Sequence, residues 1–387
     1  MFRNKANRRW RLKAFLAVVA LYLGWLGWQV GVYKRYTTEK SPPPPFSKSQ
    51  RAFPEERNAA QPPVLYEVRG AYHMHSKFSD GRKTVDEIAR AAARVGLDFI
   101  ILTDHGAPNR ASLDAQGRRD GVLVLAGTEI STSRGHLVAL AFEPPSGRFS
   151  QNADNAVYEV HSLGGFTVIA HPYSKTRWSW GGRGAVDGLE IMDSDSMLKR
   201  NWPQALIRLP LLLVKPEVVL LEIITRPEES LRKWDQLLAG GAVRGFFSAD
   251  AHFLYGPVFK IFRLVVLIEA PPSGEFEAAR REIFEALRAG RFFSAVDAAA
   301  DPSGFRFWAE NERLRVLSPF SFAHETRIIH DGKAVGISSS GELAYDAPAP
   351  GAYRAEVYLR ERSPLGGDVP WIVSNAVVLR SGGKENR

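Results

Sequence analysis

Twenty consecutive uncharged residues from Ala14 to Tyr33 (AFLAVVALYLGWLGWQVGVY) open the chain and set the first limit on what it can become. As a helix rising about 1.5 Å per residue, the run is about 30 Å long, the hydrocarbon thickness of a bilayer. Within it only Gln29 is strongly polar. Six basic residues precede it (Arg3, Lys5, Arg8, Arg9, Arg11 and Lys13), whereas only Lys34 and Arg35 follow closely. That asymmetry holds an N-terminus in the cytoplasm. Trp25, Trp28, Tyr33 and Tyr36 gather toward the far end, as an interfacial aromatic belt does. No small-x-small cleavage pattern follows cleanly, so the run is expected to be retained as an anchor rather than removed as a signal peptide. The sequence predicts a basic cytoplasmic flank over 1–13 and a single-pass transmembrane signal anchor over 14–33. In a bacterium this is the inner membrane, with the rest of the chain periplasmic or extracellular.

The flank also accounts for the net charge of +9. Residues 1–40 hold nine Lys or Arg against Glu39 alone, which leaves 42 basic and 41 acidic residues in the remainder. A balanced body lacks the basic footprint of a nucleic-acid binder, and no specific nucleic-acid partner is expected. The 387 residues include no cysteine, which excludes disulfides, thiolate metal sites, iron–sulfur clusters and cysteine nucleophiles. Any metal must sit on His, Asp or Glu. Residues 34–66 contain Ser41-Pro42-Pro43-Pro44-Pro45 and Pro62-Pro63, and read as an extended Pro-rich linker.

Beyond the linker, apolar runs alternate with helical patterns, the rhythm of a β/α domain. The run Val64 to Tyr72 ends in His73-Met74-His75, and residues two apart on a strand share a face. Thr84-Val85-Asp86-Glu87 predicts a capping box that opens a helix ending near Gly96. Phe99 to Leu102 delivers Thr103-Asp104-His105, and Val122 to Leu125 delivers Gly127-Thr128-Glu129. Gly135-His136 opens the run Leu137 to Phe142. Phe166 to Ala170 ends in His171-Pro172, and Gly245 to Ser248 ends in Ala249-Asp250-Ala251-His252. Each candidate ligand lies beside a predicted strand, mostly at its C-terminal end, where barrel enzymes place their chemistry.

Taken in order, HxHSxxSDG, TDH, GTE, GH, AHP and SADAH resemble the PHP domain, named for polymerase and histidinol phosphatase. The resemblance covers about residues 67–300 and is nearest to exported or membrane-anchored members in the branch that includes carbaryl hydrolase. It implies an α/β fold, a distorted (β/α)7 barrel of amidohydrolase type, with two or three divalent ions (zinc, manganese or iron). His73, His75, Asp250 and a bridging Glu129 are implied to hold the first ion, and Glu129, His136 and His171 the second. Asp80, His105 and His252 are implied to hold the third, with Asp104 orienting a neighbouring imidazole. Arg134, Lys175 and Arg177 are the nearest cations by sequence for a substrate anion, and solvated loop charges are the alternative. His161, His324 and His330 are expected to be structural.

The function expected is hydrolysis of small phosphate mono- or diesters by a metal-bridging hydroxide, with Glu129 and Asp250 central. A carboxylester or carbamate hydrolase using the same metals, or an exported nuclease, are the alternatives. Gly181-Gly182-Arg183-Gly184 lacks the spacing of a phosphate-binding loop and reads as a flexible loop near the site. Leu206 to Ile224 is strongly apolar, but Arg208, Pro210, Lys215 and Pro216 interrupt it, so barrel-associated helices are expected, or a surface leaning on the membrane near the anchor, rather than a second span. From 301 to 387 short alternating runs separated by turn signals predict a small antiparallel β-sandwich.

Overall fold

The computed structural model describes residues 3–37, 65–182, 185–310, 313–347, 349–360 and 365–379, with side chains in the first segment described from Trp10 to Gly31. Most of the linker expected over 34–66, and Arg183 and Gly184 of the glycine loop, lie outside these residues. Helix α1 (Arg3–Thr37) comes first. Its stretch Trp10–Gly31 is long and apolar enough to cross a membrane, and almost none of it is buried.

From β1 (Tyr66–Tyr72) the chain alternates: α2 (Val85–Arg94), β2 (Phe99–Leu102), α3 (Arg110–Asp114), β3 (Gly117–Arg119), β4 (Val122–Ala126), β5 (Thr128–Thr132) and β6 (Gly135–Leu140). Next come α4 (Ala153–Ser162), β7 (Phe166–Ile169), β8 (Gly188–Asp193), α5 (Ser194–Arg200), α6 (Trp202–Ile207) and a 3-10 turn over Leu209–Leu213. They are followed by α7 (Pro216–Glu222), α8 (Glu228–Leu238), β9 (Arg244–Ser248), α9 (Tyr255–Ile261), β10 (Phe262–Ile268), α10 (Phe276–Ala289) and β11 (Phe292–Val296).

The strands form where apolar runs are covered on both faces: every residue of β2, β4 and β7 is buried. Helix α2 starts at the expected capping box, with Thr84 and Glu87 exchanging side-chain and backbone hydrogen bonds. Its buried residues Val85, Ile88, Ala89 and Ala92 fall on one helical face. Gly70 is required by packing, since a Cβ there would fall 2.2 Å from the Phe99 ring.

In the main sheet β1, β2 and β4 run parallel, and β10 and β11 extend it antiparallel beyond β1. The second sheet is ordered β5-β6-β7-β8-β9, with β7, β8 and β9 parallel. Two bridges join the sheets just past their strand ends, Met74 with Ala251 and His105 with Glu129. Backbone hydrogen bonds flank them, from Ala249 to Tyr72 (2.9 Å) and from Gly127 to Leu102 (2.8 Å). These seams bring the ends of β1, β2, β5 and β9 together, and that fixes where the polar site must lie.

The C-terminal part is β-rich: β12 (Arg306–Glu310), β13 (Arg313–Leu317), β14 (His324–His330), β15 (Lys333–Ser338), β16 (Glu342–Asp346), β17 (Gly351–Leu359), β18 (Ile372–Ser374) and β19 (Val377–Leu379). Strands β12, β13 and β16 make a small antiparallel sheet. The other five continue the main sheet, because β18 pairs with β11. Trp371 sits at that seam, fully buried, and donates its indole N–H to the Val296 carbonyl. Joined this way, β11 presents no bare hydrogen-bonding edge.

Candidate metal centre

The expected donors converge at the strand ends. His73 and His75 leave β1, Glu129 lies in β5, His136 in β6, His171 follows β7, and Asp250 and His252 follow β9. His73, His171 and Asp250 hold positive φ angles of 64°, 26° and 39°, which L-residues rarely adopt. Such backbone is kept where the surrounding structure demands a particular aim of the side chain.

Glu129 is the hub. Its Oε2 is 3.2 Å from Nε2 of both His73 and His75, and 3.5 Å from Nδ1 of His105. Its Oε1 faces His136 Nδ1 at 2.7 Å and His171 Nε2 at 2.9 Å. Asp250 Oδ1 lies 3.5 Å from both His73 and His75. At the outer side Asp80 approaches His252 (3.2 Å), His75 (3.5 Å) and His105 (3.7 Å). All nine candidate ligands thus belong to one cluster. His75 and His105 each stand in two candidate ligand groups, so the groups overlap more than the resemblance implies.

The donor set fits divalent ions. Ligand atoms held about 2.1 Å from a tetrahedral cation are about 3.4 Å apart, close to the separations around Glu129. His105 Nδ1, His136 Nδ1 and Asp250 Oδ1 are buried and face other donors of the cluster without a well-aligned hydrogen bond. Atoms like these are costly unless something else occupies their lone pairs.

Charge agrees with geometry. Burial alone would pull the His75 imidazole down, but hydrogen bonds to Asp250 and Glu129 outweigh it and hold it up at about 9. Burial likewise opposes charge on His171, and the bond to Glu129 with the fields of Asp250, Glu129 and Glu190 raises it to about 9. Burial opposes ionisation of Glu129, yet His73, His136 and His171 around it keep it well below the usual carboxylate range. The pocket therefore attracts cations, and protons are the simplest of them.

Two residues differ from expectation. Asp104 does not orient an imidazole: it accepts from the Ser76 backbone N–H (2.6 Å) and from the hydroxyls of Ser76, Ser79 and Ser112. It pins the loop that carries Asp80. The orienting carboxylate is Glu190, which the strand motifs did not reveal. Buried on β8, it accepts from His73 Nδ1 (2.6 Å) and from the His171 backbone N–H (2.8 Å). A lone acid in the apolar run Gly188-Leu189-Glu190-Ile191-Met192 was the available signal, since such a carboxylate needs partners.

A cavity of about 580 Å³ opens over the donors. Lys175 lines it, as do Tyr173, Asp195, Lys199 and Arg200, the last three from α5, which sequence reasoning passed over. Arg134 and Arg177 are not in its wall: Arg134 pairs with Asp154 and Arg177 with Glu229. His161 pairs with Asp187, His324 meets the Phe322 carbonyl, and His330 stacks on Tyr353, all outside the cavity.

Residues 71–177 match the family model of the PHP domain. That segment is similar to the PHP domain. The similarity supports a metal-dependent hydrolase in general, with divalent metal binding as the family implies. No curated protein matches the chain. Among solved structures, it is similar to a two-domain protein from Bacteroides vulgatus described as containing a predicted PHP-like metal-dependent phosphoesterase. Identity is 15%, over 81% of this chain and 96% of that one, with a TM-score of 0.42. An amidohydrolase from Chromobacterium violaceum, with bound sulfate and no metal, is 16% identical over 47% of this chain and 87% of its own, with a TM-score of 0.32.

Proposed function

We propose that this protein is a metal-dependent phosphoesterase, hydrolysing phosphate mono- or diesters at a di- or trinuclear centre. The proposed ligands are His73, His75, Asp80, His105, Glu129, His136, His171, Asp250 and His252. The observation that carries the reading is the division of Glu129, with one oxygen turned to His73, His75 and His105 and the other to His136 and His171. A carboxylate so placed suits two cations at once. When bound, divalent ions supply Lewis acidity toward the ester oxygens and an activated water.

The chain's own groups prepare that chemistry. Glu190 accepts a hydrogen bond from His73 Nδ1–H, which leaves the Nε2 lone pair free for a cation beside Glu129. Ser174 Oγ lies 3.1 Å from His171 Nδ1 and fixes the second imidazole in the same way. Lys175, Lys199 and Arg200 put positive charge along the cavity wall, where an anionic ester would sit, although Asp195 partly offsets Lys199. The seams between the two sheets support reading this framework as a distorted (β/α)7 barrel. Helix α1 and its basic flank support a single-pass anchor with the N-terminus cytoplasmic.

The test is an activity panel on the purified full chain supplied with Mn²⁺ or Zn²⁺. Aryl phosphate mono- and diesters should be hydrolysed, and Glu129→Ala should lower the rate on the order of 10³-fold. Cleavage of aryl carboxylates or carbamates with no phosphate turnover would replace this reading by the esterase one. Activity confined to polynucleotides would replace it by a nuclease.

A further inference from the structure

Helix α1 is long enough to cross a bilayer, yet one face of it between Tyr22 and Val30 is packed against the folded body. Tyr22, Trp25, Leu26, Gln29 and Val30 form one stripe at helical spacing, with Leu26 and Gln29 buried. The Tyr22 hydroxyl donates to the Ile207 carbonyl (2.6 Å), and the Arg208 Nε donates to Gln29 Oε1 (3.1 Å). The Arg208 guanidinium also lies over the Trp25 ring and pairs with Glu222. Residues 22–30 belong to the apolar stretch Trp10–Gly31, and about 30 Å of hydrocarbon needs about 20 of its 22 residues. If α1 crosses, the elements that touch residues 22–30, namely α6, Arg208 and α7 with Glu222, must enter the lipid or its interface too.

Those elements have the surface for it. Helix α6 and the 3-10 turn expose Trp202, Leu206, Ile207, Leu209 and Leu213, and Val214 follows at once. Leu213 is 92% exposed, a costly position for leucine in water. The Arg208 guanidinium is paired with Glu222 and stacked on Trp25, as lipid requires. Lys199, Arg200 and Lys215 flank the patch and match anionic headgroups.

We infer that α6 and the 3-10 turn rest in the bilayer leaflet on the C-terminal side of α1. The inference rests on α1 crossing the membrane and is independent of the hydrolase reading. Helix α6 begins two residues after Arg200 in the cavity wall, so the arrangement sets the cavity beside the lipid surface, within reach of bilayer-held esters.

The absence of cysteine makes the test clean. Single-cysteine variants Leu21→Cys, Leu213→Cys and Ile337→Cys of the full chain are labelled with an environment-sensitive fluorophore. Each is reconstituted in phosphatidylethanolamine–phosphatidylglycerol vesicles carrying nitroxide-labelled acyl chains. Ile337, 58% exposed on β15 at the far edge of the main sheet, is the apolar control. The expected result is quenching at 213 of at least about half that at 21, with 337 unquenched. Val214→Cys repeats the reading should Leu213→Cys not fold. Quenching at 21 with 213 no more quenched than 337 would overturn the inference. Absence of quenching at 21 would overturn it as well, by removing the crossing. Neither outcome depends on hydrolytic activity.

Discussion

On the His73 and His75 side of Glu129 the donors are sealed, whereas toward the rim they open, with His136 intermediate at 21% exposed. His73, His75, Glu129 and Asp250 are at most 5% exposed, but Asp80, His105 and His252 are 54%, 33% and 23% exposed. The inner group is fixed by strained backbone, by Glu190 and by the seams between the sheets. In the outer group Asp80 hangs from a loop that Asp104 ties down through serine hydroxyls, while His105 and His252 follow β2 and β9. Buried carboxylates with few neutral partners need a cation to be stable, while solvated ones do not. Inner subsites are therefore expected to bind tightly and to be needed for any chemistry, and the outer one to exchange freely.

The largest effect should come from Glu129→Ala, which breaks both inner subsites at once. Metal content below one ion per chain and loss of turnover are expected by plasma mass spectrometry and kinetics. Retention of two ions would end the idea of a hub. Glu190→Gln should follow, lowering inner-site affinity about 10- to 100-fold in competition with a chromogenic chelator. An unchanged affinity would mean that Glu190 is merely packing. Asp80→Asn should cost one ion and about tenfold in rate while leaving the inner ions in place.

The metal-free protein offers a gentler probe. His75 and His171 are raised from 6.5 to about 9 in the fold, so their contribution to stability is complete below pH 6.5 and is lost as pH rises through 9. Over that window the melting temperature of the metal-free protein should fall, and the gain on adding Mn²⁺ or Zn²⁺ should grow as protons cease to compete. A metal-induced shift that is flat from pH 6.5 to 9 would show that these imidazoles are not the ligands. Smallest of all, Arg177→Ala should change rate less than about twofold, since its partner is the exposed Glu229.

What could be read beforehand follows from range. His73 and His75, or Asp250 and His252, declare themselves by i, i+2 spacing at the end of an apolar run, and the capping box at Thr84 is equally local. Glu190 acts across 117 residues of sequence on His73, and only the pairing of β8 beside β7 reveals it. Arg134 and Arg177 were nearest in sequence to His136 and His171, but proximity along a loop does not fix where a long side chain points. Lys199 and Arg200 reach the cavity from a helix whose sequence carries no ligand motif. The C-terminal strands were legible as strands, yet their union with β11 depends on the three-residue β18, too short to signal a partner.

The most direct measurement is the metal content of the purified full chain, wild type and Asp80→Asn, after dialysis against graded chelator. The account predicts release in two steps for wild type, the weakly held ion first, and absence of that first step in Asp80→Asn. A folded wild-type chain without stoichiometric metal, or a single release step that Asp80→Asn leaves unchanged, would contradict it.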